Sequence, residues 1–296
     1  MRILVTGGAG FIGSNLAKHL VTAGHQVTIL DNFSSGDFRN LVKFSGDVIS
    51  AGCTQKPADR FDAIFHQASI TDTTVTDQLQ MMQNNVEGFR NVLSWAAEFG
   101  ARVVWASSAA VYGNLPAPMR EAMEPQPLNV YGYSKLAMEH LAARWHEETH
   151  LPIIGLRYFN VYGPGEAHKG KFASMIHQLA RQMKAGKRPR IFRDGNQRRD
   201  FVWIGDVINA NLKAMNTDTH GVFNVGSGES ESFNAIIAAL NAVLHTNLEP
   251  DYFENPYSFF QTHTEADISR TRAILGYAPT CGLLDGIRAY HASNQL

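Results

Sequence analysis

Tyr131 and Lys135 stand four residues apart at the head of a helix-like stretch, YGYSK, and the apolar run ARVVWASSAAVY that precedes them carries Ser107 and Ser108 near its end. Spacing of i, i+4 puts the Tyr131 hydroxyl and the Lys135 ammonium on one helix face. Serines at the C-terminal end of a strand lie where open α/β sheets keep their ligand chemistry. Such a set suits proton transfer at a hydroxyl or carbonyl. A phenol titrates near 10, so a tyrosine base working near neutral pH needs its pKa lowered by about 3 units, roughly 4 kcal/mol. Ser108 would hydrogen-bond the reacting oxygen as charge develops on it. The alternative is a half-exposed interface tyrosine beside a solvated helix lysine, since YxxxK alone is common by chance.

A second pattern changes that balance. Ile3-Leu4-Val5 leads directly into Gly7-Gly8-Ala9-Gly10, and Gly13 follows inside an apolar, helix-like stretch that includes Phe11 and Ile12. A strand, a glycine turn and a helix start form a seat for a pyrophosphate, whose oxygens meet backbone N–H groups at the positive end of the helix dipole. Gly7, Gly10 and Gly13 serve the turn, the close approach and the helix–strand contact. Asp31 closes the next apolar run, about twenty residues on, where a carboxylate can accept hydrogen bonds from an adenosine ribose. The pair points to a dinucleotide. An oxidised nicotinamide held there, together with Lys135, would supply the lowering that Tyr131 needs.

Positioning these groups calls for alternating strands and helices. Apolar runs at 2–6, 26–31, 63–66, 102–106 and 153–157 read as strands, and 11–23, 77–99 and 132–149 as helices. The alternation predicts an α/β fold, a doubly wound parallel sheet of Rossmann type, with a smaller C-terminal substrate lobe. The expected division is 1–160 for the dinucleotide and 161–296 mainly for the substrate, with segments returning to the first part. Past residue 160 the rhythm is irregular, with turns at Gly163-Pro164-Gly165, an amphipathic stretch at 171–185 and a strand-like run at 200–203.

Composition excludes several classes. The 296 residues are 44% hydrophobic and 18% charged, with a formal charge of −1, which gives no electrostatic reason to expect nucleic acid. The basic run Lys184–Arg190 reads as a solvated helix end and turn. No apolar run approaches the roughly 20 residues that span a bilayer, and Met1 leads straight into a strand, so neither a membrane partner nor a signal peptide is expected and the cytoplasm is the expected compartment. Cys53 and Cys281 lack CxxC spacing and read as reduced thiols; the 12 His residues form no HExxH pair, and no metal is expected.

In this order TGGAGFIG, SSAAVYG and YGYSK resemble the extended short-chain dehydrogenase/reductase family (the NAD-dependent epimerases and dehydratases), which acts on nucleotide-sugars, and the likeness runs over essentially the whole chain. Dehydratases and decarboxylases of that family carry acidic residues after the strand-end serine. Here Ala109 and Ala110 stand there, so an epimerase or simple oxidoreductase is implied. Downstream, LNVYGYSK (128–135), RYFNVYGPGEAHKGKFAS (157–174), RRDFVWIGDV (198–207) and FNVGSGESESF (223–233) are similar to the branch that inverts carbon 6 of an ADP-heptose for lipopolysaccharide synthesis. UDP-sugar 4-epimerases are the alternative branch, and a non-catalytic dinucleotide sensor is the alternative from another class.

The resemblance implies roles residue by residue. Lys169 would be a second base facing the substrate from the side opposite Tyr131; on spacing alone, His168 and Lys169 equally suit a basic loop that binds diphosphate. Asn160 and Arg199 would contact the diphosphate, with an Arg199–Asp200 salt bridge as the alternative. Asn85 would touch cofactor or substrate, or cap a helix. Asp47 would meet the adenine amine, and Thr73 and Thr74 would form a polar substrate loop or a solvated surface one. The branch brings NADP, with a lysine near the 2′-phosphate; between Asn32 and Arg39 the only cation is Arg39, and Asp31 itself suits the free ribose of NAD. NADP is the expected cofactor and NAD its alternative. Pro256–Gln261 resembles an aromatic substrate loop. Homo-oligomers are expected, with helices 77–99 and 132–149 available as an interface.

Overall fold

The computed structural model describes residues 1–254 and 261–296. In chain order the elements are β1 (Arg2–Thr6), α1 (Phe11–Thr22), β2 (Gln26–Asp31), β3 (Asp47–Ser50), β4 (Ala63–His66), α2 (Gln78–Met82), α3 (Gly88–Phe99), β5 (Arg102–Ser108), α4 (Val130–Thr149) and β6 (Ile153–Tyr158). There follow β7 (Asn160–Tyr162), α5 (Met175–Lys184), β8 (Arg190–Phe192), β9 (Arg198–Arg199), β10 (Phe201–Trp203), α6 (Ile204–Met215) and β11 (Gly221–Val225). The last are β12 (Glu231–Ser232), α7 (Phe233–Leu244), β13 (Asp251–Phe253), α8 (Ser269–Leu275) and α9 (Leu283–Ala292).

Seven strands make one parallel sheet in the order β11-β6-β5-β4-β1-β2-β3. Runs such as Ile3-Leu4-Val5 and Ala63–His66 are buried throughout, as they must be in a sheet covered on both faces. One face packs against α1, α6 and α8 through Leu16, Leu20, Val207 and Leu275; the other takes α3 and α4 through Val92, Leu93, Met138 and Leu141. A third apolar cluster joins α5, α7 and α9 through Leu179, Ile236, Leu240 and Ile287.

The chain runs from β1 outward to β2 and β3, then returns to lay β4 on the other side of β1. Strand order therefore reverses between β1 and β4, and the crevice beyond the C-terminal ends there is the ligand position of such sheets. The stretch read as one helix over 77–99 is instead α2 and α3 joined by a π-helical turn, Gln83–Glu87. Among the described residues no helix is long and apolar enough to cross a membrane.

Candidate functional site

A cleft of 1460 Å³ opens over the C-terminal ends of β1, β2, β4, β5 and β6 and extends to α5, β8 and β13. Its first wall is the glycine turn. Gly10 caps α1 in extended conformation with no side-chain partner, and Ser14 N is bonded to Gly10 O, so the amides of Phe11, Ile12 and Gly13 lie ahead of the helix ladder, and all three residues line the cleft. A Cβ on Gly13 would fall 2.2 Å from Gly7 O. Only glycine lets the helix start lie so close to the turn, and this cradle of backbone N–H groups fits a dinucleotide pyrophosphate.

Asp31, buried at the end of β2, accepts from Ala9 N and Phe33 N, both at 2.8 Å, which locks the turn to the strand end. Asn32 lies beside it in the wall and accepts from Ser34 N. Two residues expected here stand elsewhere. Arg39 is drawn to Asp37, with Nε 3.0 Å from both carboxylate oxygens, and its side chain is 73% exposed outside the cleft wall. Asp47 begins β3 opposite Thr28, at the far end of the strand from Asp31, because β3 runs parallel to β2 and presents its other end to the site. Ala51, Gly52, Cys53 and Thr54 line the cleft in its place. They follow β3, a strand too short and exposed for its apolar pattern to announce it.

A second stretch of the wall comes from β5 and α4. Asn129 caps α4 by accepting from Gly132 N at 2.8 Å, which sets Tyr131 in the first turn and Lys135 one turn later. Ser108 accepts from Ala110 N at 3.1 Å and lines the cleft together with Tyr131. Burial pushes the Tyr131 pKa up, and the Ser108 contact opposes it. Lys135 Nζ lies 5.8 Å from the Tyr131 ring centroid and donates to Ser69 Oγ at 2.5 Å and Ala106 O at 2.9 Å. Burial pulls its pKa down to about 7, against the pull of the Glu139 carboxylate. Glu139 is itself held by a bidentate Arg157 at 2.7 and 2.8 Å and by Ser107 Oγ at 2.6 Å. Ser69, Glu139 and Arg157 are absent from the sequence reading; the i+4 step from Lys135 to Glu139 was the available signal.

A separate loop supplies a further stretch of the wall. Ala167–Phe172 forms a 3₁₀ turn, and His168 and Lys169 both line the cleft. Lys169 Nζ sits 5.9 Å from the Phe11 ring centroid, and burial lowers its pKa while Glu166 raises it. Glu166, fully buried, accepts from Gly163 N at 3.2 Å and from Ser174 N at 2.5 Å, so one carboxylate closes both ends of the loop.

Asn160 and Arg199 also line the cleft. Burial lowers the Arg199 pKa to about 10, and its guanidinium donates to Gln261 O at 2.5 Å. Asp200 accepts from Ser227 N, Gly228 N and Ala266 N, and so is satisfied by backbone amides. Beyond Arg199 the wall turns aromatic: Phe192 and Phe253 meet edge to face at 5.0 Å, and Arg190 lies 4.6 Å over Phe253. Arg190 begins β8, pairs with Asp251 and lines the cleft while its side chain stays 59% exposed.

Asn85 and Thr73 do not reach the cleft. Asn85 is fully buried and spans Ile70 N, Ile70 O and Ser134 Oγ, bracing the Ser69 loop from behind. Thr73 is exposed, while its neighbours Thr71, Asp72 and Val75 line the wall. The expected loop Pro256–Phe260 lies outside the described residues; Gln261, at its end, donates to Gly113 O.

The NAD dependent epimerase/dehydratase family is matched over residues 3–226. Among solved structures, the ADP-L-glycero-D-manno-heptose-6-epimerase of Helicobacter pylori is 42% identical with a TM-score of 0.92, over 99% of this chain and 95% of that one. The UDP-glucuronic acid 4-epimerase of Bacillus cereus, solved with UDP-glucuronic acid and NAD, is 30% identical with a TM-score of 0.87, over 99% and 98%. A UDP-N-acetylglucosamine 4-epimerase from Methanobrevibacter ruminantium is 28% identical with a TM-score of 0.91, over 99% and 98%.

Proposed function

Since this chain belongs to the NAD dependent epimerase/dehydratase family and is an epimerase, we propose that it inverts carbon 6 of ADP-D-glycero-D-manno-heptose. The observation that carries this reading is the second basic side chain: Lys169 enters from its own loop into the cleft that Tyr131 and Ser108 line from β5 and α4. Bound along Gly7–Gly13 and Asp31, a nicotinamide dinucleotide would supply a reversible hydride acceptor for the sugar carbon. Tyr131 takes the proton of the hydroxyl at that carbon, and Ser108 donates to the oxygen as its charge changes. The transient ketone turns in the cleft. As the hydride would return to the other face of that carbon, Lys169 gives a proton to the oxygen in its second orientation, so inversion needs no movement of the protein.

At the other end, Arg199 with Asn160 suits the diphosphate, since a guanidinium fork matches two phosphate oxygens. Phe192, Phe253 and Arg190 suit a flat nucleotide base. For the dinucleotide we favour NAD over NADP. Asp31 occupies the ribose end, no basic side chain lines the cleft among Asn32, Ser34, Ser35, Gly36 and Ala51–Thr54, and Arg39 is paired with Asp37. A 2′-phosphate there would face a carboxylate with no cation to offset it.

The deciding experiment is an NMR time course of the purified protein with ADP-D-glycero-D-manno-heptose and no added cofactor, following the proton on carbon 6. The expected result is growth of the L-glycero epimer. No conversion with dinucleotide verified as bound, together with turnover of a UDP-hexose, would replace this reading with that of a 4-epimerase.

A further inference from the structure

The loop that carries Lys169 is fastened to the glycine turn by two asparagines. Asn15, one turn into α1, donates from Nδ2 to Phe11 O and to Pro164 O, each at 2.9 Å. Asn40 donates from Nδ2 to Ala9 O at 3.0 Å and lies 3.1 Å from His168 Nδ1, which is also 2.9 Å from Gly165 O. Asn15 therefore joins the first turn of α1 to the loop, and Asn40 joins the glycine turn to it. Gly165 marks the crossing: its φ is +98°, and a Cβ there would sit 3.1 Å from Asn15 Nδ2 and 3.6 Å from Asn40 Oδ1. The backbone can pass under both amides only without a side chain. Glu166 ties the ends of the loop to one another, but none of its three hydrogen bonds reaches the turn.

We infer that Asn15 and Asn40 are positioning residues that hold Lys169 in register with the glycine turn, so that the second base and the dinucleotide seat form one rigid unit. The inference rests on the reading of Lys169 as the second base. The geometry explains why a lysine on a 3₁₀ turn with a left-handed Gly170 can be held against Phe11 at all. A side chain on a loop needs a supporting shell to stay within reach of a reacting atom. Here that shell comes from another part of the chain, 31 residues from the turn in the case of Asn40.

The test is a set of variants assayed for kcat and KM on the ADP-heptose: Asn15→Ala, Asn40→Ala and the milder Asn40→Ser, each also in a Lys169→Met background. We expect Asn40→Ala to lower kcat at least tenfold with KM within threefold, Asn40→Ser to fall between it and the parent, and neither to add a loss once Lys169 is gone. A structural defect would instead multiply with Lys169→Met, because independent sites add in free energy; that outcome overturns the inference. Hydrogen exchange of peptides covering 163–172 gives a readout apart from turnover, and should quicken at least tenfold in both alanine variants. Unchanged exchange, or wild-type kcat in Asn15→Ala and Asn40→Ala while Lys169→Met is slow, also overturns it and spares the role of Lys169. A wild-type rate in Lys169→Met removes that role and this inference together.

Discussion

A buried phenol is a weak base until its surroundings favour the phenolate, and around Tyr131 the described residues do this only in part. Burial raises its pKa, Ser108 lowers it, and Lys135, itself drawn down to about 7, spends its hydrogen bonds on Ser69 and Ala106. On the proposed mechanism the rest of the lowering comes when the cleft is loaded. Tyr131→Phe should therefore cost about 10²–10⁴-fold in kcat, the usual span for a positioned acid–base group, with dinucleotide still bound as judged by absorbance. Full activity in that variant would sink the mechanism. His66 gives a prediction of another kind. It is buried at the end of β4 with Nδ1 2.8 Å from Thr6 Oγ1, and burial, aided by the Lys135 charge, lowers its pKa to about 3. Below about pH 6.5 the unfolded chain binds a proton that the folded one refuses, so stability falls as pH falls from there toward 3, by up to about 1.4 kcal/mol per pH unit. Urea unfolding at pH 7, 6 and 5 should show a shallower fall in His66→Gln than in the parent; equal slopes would mean that the folded protein protonates His66 readily.

Between elements, a buried tie near the site is the pair Glu139–Arg157, which joins α4 to β6 with side chains only 7% and 3% exposed. Removing one partner strands a buried charge, so Arg157→Met should cost about 3–5 kcal/mol, read as a lower urea midpoint at unchanged slope. A loss below 1 kcal/mol would show that water reaches Glu139. The same elements show what the residue pattern discloses and what it hides. β1, β2, β4, β5 and β6 are legible because parallel strands buried on both faces are unbroken apolar runs. β3 is not, since Asp47-Val48-Ile49-Ser50 is an exposed edge of four residues, and with it went the true neighbours of Asp31. The π turn inside 77–99 follows from Asn85 turning inward to Ile70 and Ser134, a tertiary demand that helical periodicity cannot carry. Tyr131 and Lys135 were readable as neighbours because their spacing is local, and Ser108 because it closes an apolar strand. Glu139 had only its i+4 step from Lys135 to report it, and Ser69, Arg157, Asn15 and Asn40 act across folds of the chain, where no local period reports them.

At the scale of the molecule, the cleft is lined by both halves of the chain: the glycine turn, β5 and α4 from the first, and α5, β8, β13 and the Lys169 loop from the second. A ligand that touches both walls stabilises the folded state by mass action and cannot bind the unfolded one, which scatters the walls. At a concentration one hundred times its Kd a dinucleotide should add about 2.7 kcal/mol, or roughly 5 °C in Tm for a chain of this length. Charge at the ribose end then decides between the two candidates. The Asp31 carboxylate, fixed by Ala9 N and Phe33 N, cannot swing away from a 2′-phosphate, and the nearest loop cation, Arg39, would have to leave Asp37 to meet one. Protein stripped of bound nucleotide should therefore gain its Tm at lower NAD than NADP concentrations, by about tenfold if the uncompensated contact costs about 1.4 kcal/mol. The gap should narrow in Asp31→Asn, which keeps the shape and removes the charge. A larger shift with NADP in the parent would mean that Arg39 changes partner on binding, and an Asp37→Asn variant, which frees that guanidinium, would then bind NADP more tightly still.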